Sequence, residues 1–485
     1  MLRKLYRKYN SISTVVKAGL WFTICNFLQK GISFITIPIF TRIMTTEEYG
    51  MYSIYSSWHS VLTVFATLHL SYYVFNRGLV KYENDRERFV VSIQSLSATI
   101  TLVFIAIYLV FRNPINAYSG MPTAMMLCMM VQIFFEPPVL YWTARKRFEY
   151  KYQAVIFATL AISVLNPVIG IALIKCSVFK DAALARVFSI ALVSAVFGFA
   201  FGFSIIQKAH NIFNAKYWRY ALGFNLPLIP HYLSTTILSS ADRIMIGDIV
   251  GKSEAAIYSV AYSVGMVCTL FSQAINQAYL PWLYKRMKKE EYSGIPGISN
   301  TFLLIILCIL TMITCFAPEV VWIVGSKKYL EAIWAIPPVC GSVYFIFLQN
   351  LFANVEYYFE KTKLIAAASV GVAVLNIVLN YIFIHLFGYL AAGYTTLFCY
   401  MVYSFVHYFV LKRICSQNSV NLKMLFDLKT VIGLSILMLA VTGIMLFIYR
   451  SQYLRYSIFV ILLIVGIVKR DYIIGIVRTM KASED

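Results

Sequence analysis

Residues 18–40 read AGLWFTICNFLQKGISFITIPIF, an apolar run with one charge, Lys30, near its middle. As a helix rising about 1.5 Å per residue, such a run crosses a hydrocarbon core of roughly 30 Å. Basic residues precede it, as in a signal peptide, but no small-residue cleavage site follows, so the run is expected to be retained as the first span. Working outward, comparable runs lie at 51–74, 89–111, 122–143, 153–174, 183–206, 222–241, 256–281, 298–317, 332–356, 364–386, 389–411, 430–449 and 454–468. The pattern predicts an all-α polytopic membrane protein of about 14 transmembrane helices.

The bulk composition agrees. Of 485 residues, 60% are hydrophobic and 13% charged, against about 45–50% and about 25% in soluble domains. The net charge of +21 comes from basic loops between apolar runs, which marks membrane orientation and excludes nucleic acid as a partner. The nine cysteines lack paired metal-ligand spacing and read as small apolar residues.

With the amino terminus inside, alternate segments carry most of the basic charge: Arg3, Lys4, Arg7 and Lys8; Arg77, Lys81, Arg86 and Arg88; Arg145, Lys146, Arg147 and Lys151; Lys208, Lys216 and Arg219. The series continues through Lys285, Arg286, Lys288 and Lys289, Lys361 and Lys363, Lys412, Arg413, Lys423 and Lys429, and Lys469, Arg470, Arg478 and Lys481. With Lys17, these hold 30 of the 42 Lys and Arg. The positive-inside rule then sets an even span number and cytoplasmic N- and C-termini. The outward loops are short, leaving little room for a catalytic domain on that side.

An internal repeat is also visible. Arg42-Ile43-Met44 at the end of span 1 recurs as Arg243-Ile244-Met245 after span 7, each followed by a short loop and a similar span start, Tyr49-Gly50-Met51-Tyr52-Ser53 and Ala256-Ile257-Tyr258-Ser259. Val164-Leu165-Asn166 in span 5 recurs as Val374-Leu375-Asn376 in span 11. Both matches are offset by six spans, so the expected organisation is two parallel six-helix lobes, 1–215 and 216–415, with two additional C-terminal spans and a tail over 416–485.

The segments Lys17-Ala18-Gly19-Leu20-Trp21, Pro38-Ile39-Phe40-Thr41-Arg42 and Glu48-Tyr49-Gly50 resemble the opening of bacterial lipid-linked oligosaccharide flippases. Asp242-Arg243-Ile244-Met245-Ile246-Gly247 resembles their mid-chain motif. The likeness is to the polysaccharide-transporter (Wzx-like) branch of the multidrug/oligosaccharidyl-lipid/polysaccharide exporter superfamily. It implies an alternating-access transporter in the bacterial inner membrane, with undecaprenyl-diphosphate-linked oligosaccharide as cargo for O-antigen, capsule or related glycans. It also implies the polysaccharide polymerase and chain-length machinery as downstream partners.

A lipid diphosphate is an anion, so a carrier for it needs fixed positive charge in a polar pathway. Lys30 sits mid-span, where a charge costs about 2.5–3.5 kcal/mol on insertion scales and is expected to face a cavity or a partner such as Glu136. Arg42 and Arg243 occupy matching repeat positions and suit bidentate phosphate contact. The bland reading makes them helix-end anchors. Asp242, Glu136 and Glu356 are the candidates for charge pairing or ion coupling, with H⁺ or Na⁺ as the coupling ion and no other cofactor. His59, His69, His231, His385 and His407 titrate near neutrality in principle, but a span histidine is more often a packed, hydrogen-bonded residue. The intramembrane prolines Pro38, Pro137, Pro138, Pro167, Pro227, Pro230, Pro281, Pro337 and Pro338 are expected to kink or end helices.

Competing readings are a multidrug cation antiporter of the same superfamily and a membrane-embedded transferase. A drug-cation exporter favours acidic cavity residues, whereas Lys30 and the paired arginines favour an anionic cargo. The transferase needs a phosphate-binding or paired-carboxylate loop, and neither motif is present.

Overall fold

A computed structural model describes residues 13–209, 212–360, 362–470 and 475. Arg3, Lys4, Arg7, Lys8, Lys361, Arg478 and Lys481, used in the charge count, lie outside the described residues. Nineteen α-helices run through them with no strand among the described residues. The first nine are α1 (Thr14–Ile43), α2 (Thr46–Thr67), α3 (Tyr73–Lys81), α4 (Arg86–Val110), α5 (Arg112–Ser119), α6 (Thr123–Phe148), α7 (Tyr152–Lys175), α8 (Ala182–Ile206) and α9 (Ala215–Asn225). They continue as α10 (Ile229–Ile249), α11 (Lys252–Lys288), α12 (Ile295–Cys315), α13 (Ala317–Gly325), α14 (Ile336–Tyr358), α15 (Thr362–Phe387), α16 (Ala391–Gln417), α17 (Leu422–Leu425), α18 (Leu428–Ile448) and α19 (Gln452–Val468).

Eleven of these are long and apolar enough to cross a membrane: α1, α4, α6, α7, α8, α11, α12, α14, α15, α16 and α18. The other three expected spans fall on α2, α10 and α19. Serines, threonines and His59 stud α2, while α10 carries His231, Asp242, Arg243 and Asp248, and α19 has only 17 residues. For these three, the spanning assignment rests on the sequence reading alone.

Two boundaries differ for local reasons. The expected span 51–74 stops at Thr67, because Leu68 and His69 both take φ 48° and turn the chain into the separate helix α3. The expected span 222–241 is displaced to 229–249: Pro227 sits in a 3₁₀ turn over Leu226–Leu228, and Pro230 falls in the first turn of α10, where its missing N–H costs nothing. Pro38, Pro137, Pro138, Pro167 and Pro281 lie inside uninterrupted helices, and Pro337 and Pro338 open α14. Arg243-Ile244-Met245 accordingly falls within α10, not after it.

Helix starts follow capping rules. Thr45 and Glu48 form a reciprocal capping box on α2: Thr45 Oγ1 accepts the Glu48 N–H at 3.2 Å, and Glu48 Oε2 accepts the Thr45 N–H at 2.8 Å. Glu48 Oε1 also accepts the Ala182 N–H at 3.0 Å, fixing the start of α8 beside that of α2. Asp181, Asn214 and Asp427 cap α8, α9 and α18.

The packing divides the chain into two compact units, 1–236 and 237–485, with the division inside α10. In the first unit α8 packs along α6 and α7, α1 lies on α7, and α4 lies on α6. The closeness of α6 and α8 depends on Gly198, where a Cβ would stand 2.2 Å from the Phe135 carbonyl oxygen. In the second unit α14 is the central helix, flanked by α11, α12, α16 and α18, with α15 on α16 and α19 on α12. Arg455 of α19 donates to Glu319 at 2.8 and 3.0 Å and to the Cys315 carbonyl at 2.7 Å, fastening this last helix to α12 and α13.

At one end of the first unit, outside the apolar spans, Arg145 forks onto Glu87 and donates to Glu149 at 2.9 Å, while Lys151 reaches Glu149 at 2.8 Å. Burial alone would raise the Glu149 pKa. The hydrogen bonds from Lys151 and Arg145 and the neighbouring positive charge outweigh it and hold the group at about 2. A depressed folded-state pKa contributes stability above the unfolded value of roughly 4.3, and that stability is lost as pH falls toward 2. Glu149→Gln is therefore expected to lower the melting temperature at pH 7, with the gap from wild type closing between about pH 4 and pH 2. Thermal unfolding in detergent across that range measures it, and a gap independent of pH would contradict the assignment.

Candidate functional site

Hydrocarbon offers buried polar groups no water, so a polar group within a helical membrane unit must find its partner on another helix. Asp242 of α10 shows this most fully. Its residue is 2% exposed, and its carboxylate accepts from Tyr258 of α11 at 2.6 Å, Asn380 of α15 at 2.7 Å and Thr396 of α16 at 2.9 Å. Asn376 stands one turn before Asn380 on the same face of α15 and donates to Thr396 at 3.1 Å, while Thr395 donates to Asn380 Oδ1. Four helices thus converge on one carboxylate whose three donors are neutral. Its chain neighbour Arg243 is directed elsewhere: its guanidinium donates to the Ser239 carbonyl and lies 4.4 Å from the Tyr262 ring centroid.

A second buried network ties α14 to α16. Glu356 and His407 are both 0% exposed, with the carboxylate oxygens 2.9 and 3.0 Å from His407 Nδ1. The far ring nitrogen, Nε2, lies 3.2 Å from the Gln349 side-chain nitrogen. With the Gln349 amide donating to Nε2, the ring proton sits on Nδ1 and donates to Glu356. Gln349 and Glu356 are both on α14, two turns apart, so the imidazole of α16 bridges them.

In the first unit Glu136 of α6 has its partner on α2, His59 Nε2 at 3.1 Å. The Glu136 side chain is 37% exposed, unlike Glu356. One helical turn away, Tyr55 stacks against His59 and donates to Gln132 at 2.9 Å. Lys30 is exposed on α1, and Arg42 is exposed in the last turn of α1, donating to the Pro38 carbonyl at 2.8 Å. The structure thus joins each candidate glutamate to a histidine that the sequence reading left unassigned. It surrounds Asp242 with Tyr258, Asn380 and Thr396, which that reading passed over.

The repeat is now visible as geometry. Asn376 bonds Thr396 twenty residues on, and in the first unit Asn166 bonds Arg186 twenty residues on. Under the sequence alignment, Thr41 matches Asp242 and Tyr52 matches Tyr258. In the first unit Arg186 is buried, donates to Asn166 and to Ser189 at 3.2 Å, and lies 4.3 and 5.3 Å from the ring centroids of Phe40 and Tyr52. The two copies therefore centre on groups of opposite kind. One is built around a buried guanidinium and the other around a buried carboxyl group.

Nine cysteines are free, with Cys176 exposed and six of them buried. Among the described residues no group of three or more His, Cys, Asp or Glu is placed to hold a metal ion.

A model of the family described as "Polysaccharide biosynthesis protein" matches residues 15–287, more than half of the chain. Among curated proteins, the chain is similar to Lsg locus putative protein 1 of Haemophilus influenzae, 23% identical over 372 residues, covering 73% of this chain and 88% of the relative. It is also similar to the probable low-salt glycan biosynthesis flippase Agl15 of Haloferax volcanii, 24% identical over 459 residues, covering 89% and 93%. Among solved structures, lipid II flippase MurJ in an inward closed conformation superposes with a TM-score of 0.73 at 14% identity, covering 94% of this chain and 100% of that one. An inward-facing MATE multidrug resistance transporter of the MOP superfamily gives 0.61 at 12% identity, covering 80% and 96%. At these identities the structural likeness is one of fold.

Proposed function

The chain belongs to the polysaccharide biosynthesis protein family, and from that premise we propose that it flips undecaprenyl-diphosphate-linked oligosaccharide units from the cytoplasmic to the outer leaflet of a bacterial inner membrane. Transport proceeds by alternating access, with both termini in the cytoplasm, and feeds assembly of O-antigen, capsule or a related glycan. Polysaccharide polymerase and chain-length machinery take up the product. The observation that carries the reading is a lipid-flippase fold over nearly the whole chain combined with a buried carboxylate, Asp242, at the convergence of four helices.

Lys30, Arg42 and Arg243 supply positive charge to the diphosphate. Asp242 binds the H⁺ or Na⁺ that drives the cycle, and Glu136 and Glu356 adjust charge through their histidines. The repeat supports the Asp242 role: the matching cluster holds the guanidinium of Arg186, whereas the donors to Asp242 from Tyr258, Asn380 and Thr396 are neutral.

Reconstitution in liposomes with a fluorescent prenyl-diphosphate oligosaccharide, scored by protection from an external modifying enzyme, tests the proposal. Lys30→Gln, Arg42→Gln and Arg243→Gln are each expected to slow flipping about tenfold, the loss of one charge-assisted contact of roughly 1.5 kcal/mol, without loss of membrane insertion. Absence of protein-dependent exchange by the wild type would overturn the flippase reading, and export of a cationic dye instead would put the cation antiporter in its place.

A further inference from the structure

The short helices α3 and α9 lie at the end of the first unit that the charge distribution assigns to the cytoplasm. Both are pinned to α4: Phe75, Leu79 and Phe89 are buried between them, Tyr217 donates to Asp85, and Trp218 donates to the Ser92 carbonyl at 2.9 Å. Tyr82, Tyr217, Tyr220 and Phe89 form one aromatic cluster, with Tyr82 centroids 4.7 Å from Tyr217 and 5.4 Å from Tyr220.

Three exposed cations stand on the rim of these rings. Lys81 Nζ is 4.4 Å from the Tyr220 centroid, Lys216 Nζ is 5.7 Å from Tyr82, and the Arg77 guanidinium is 5.3 Å from Phe224, whose ring joins the cluster 6.4 Å from Tyr220. Their surroundings make them unusual. Neighbouring Arg86, Arg88 and Arg145 are neutralised by Glu83, Asp85 and Glu87. Among the described residues no carboxylate lies within 4.0 Å of Arg77, Lys81 or Lys216, and the two nearest in sequence, Glu83 and Asp85, are already engaged. Cation–π contact holds a cation in place without cancelling its charge, so the platform is an ordered, uncompensated triad with rings beneath it.

We propose that Arg77, Lys81 and Lys216 form a docking site for a phosphate-bearing lipid headgroup, where the cargo diphosphate is captured before entering the transport pathway. Ordered ammonium and guanidinium donors suit phosphate oxygens, and exposed Tyr73 and Val80 on α3 give the attached chain an apolar edge beside them. The capture role rests on the flippase reading; the headgroup site itself does not.

The test uses the full chain in neutral detergent with radiolabelled farnesyl diphosphate as probe. Wild type is expected to bind it in a salt-sensitive manner, with inorganic diphosphate competing and farnesol failing to compete. The triple variant Arg77→Gln/Lys81→Gln/Lys216→Gln should bind about tenfold more weakly, three exposed charge contacts at roughly 0.5 kcal/mol each. The charge-preserving Arg77→Lys/Lys81→Arg/Lys216→Arg should bind as wild type, which separates lost charge from lost folding. Farnesyl diphosphate outcompeting phosphatidylglycerol supports capture of the cargo headgroup, and equal competition by phosphatidylglycerol overturns it in favour of bulk anionic lipid. Wild-type binding by the glutamine triple overturns the site, whether or not liposome flipping is observed, and intact binding by a protein that flips nothing overturns only the flippase reading.

Discussion

Asp242→Asn is expected to reduce flipping in liposomes by at least about tenfold and to remove its dependence on an ion gradient, while the protein inserts and unfolds much as wild type does. The substitution keeps the volume of the side chain, and Tyr258 and Thr396 have hydroxyls that can turn to accept from the new amide. The amide oxygen of the new residue can stand where Oδ1 does and keep the hydrogen bond that Asn380 donates, 2.7 Å long in wild type. The polar cluster can therefore remain bonded, and what disappears is the negative charge. If the carboxylate were only a strut between four helices, a bonded neutral substitute would leave transport intact, so transport by Asp242→Asn at the wild-type rate with unchanged ion dependence would remove the coupling role. Measuring initial rates with and without inward and outward gradients of H⁺ and Na⁺ also says which ion is used.

Glu356→Ala is expected to be the most destabilising single change in the second unit. Removing the carboxylate leaves the buried His407 Nδ1–H without its acceptor, at a cost of about 1–3 kcal/mol, and adds a cavity beside a histidine that Gln349 holds from behind. Glu356→Gln should cost far less, because its carbonyl can accept the His407 Nδ1 proton. In the first unit the Glu136 side chain is 37% exposed, so its removal leaves His59 less completely enclosed, and Glu136→Ala should lower the melting temperature by less than Glu356→Ala. A thermal-unfolding comparison of the three variants reads the ordering. Equal losses for Glu356→Ala and Glu136→Ala would show that burial of the α14–α16 pair does not dominate.

The positions of the long helices were legible because each is a run of apolar side chains, a local property. Lys30 and Arg42 were found for the same reason, as charges interrupting such runs. The partners of Asp242 were not legible: Asn380 and Thr396 are brought to it from 138 and 154 residues away, and nothing in an isolated Thr or Asn distinguishes a ligand from packing. The Glu356–His407 pair shows the same gap across 51 residues. The repeated Val-Leu-Asn carried usable information, since it placed Asn166 and Asn376 at matching sites, but the reversal between Arg186 and Asp242 appears only once each asparagine is seen reaching its neighbour. The short helices α3, α5, α9 and α13 escaped notice because each is too brief for periodicity to separate it from a loop.

That reversal gives the two repeats different relations to their surroundings. Arg186 is held by the Asn166 and Ser189 side chains, partners supplied by its own unit. In the second copy Thr396 stands where the first has Arg186, and the carboxylate it meets, Asp242, is bonded by neutral donors. Under the coupling role proposed for Asp242, an ion gradient acts on the machine through the second repeat and not the first.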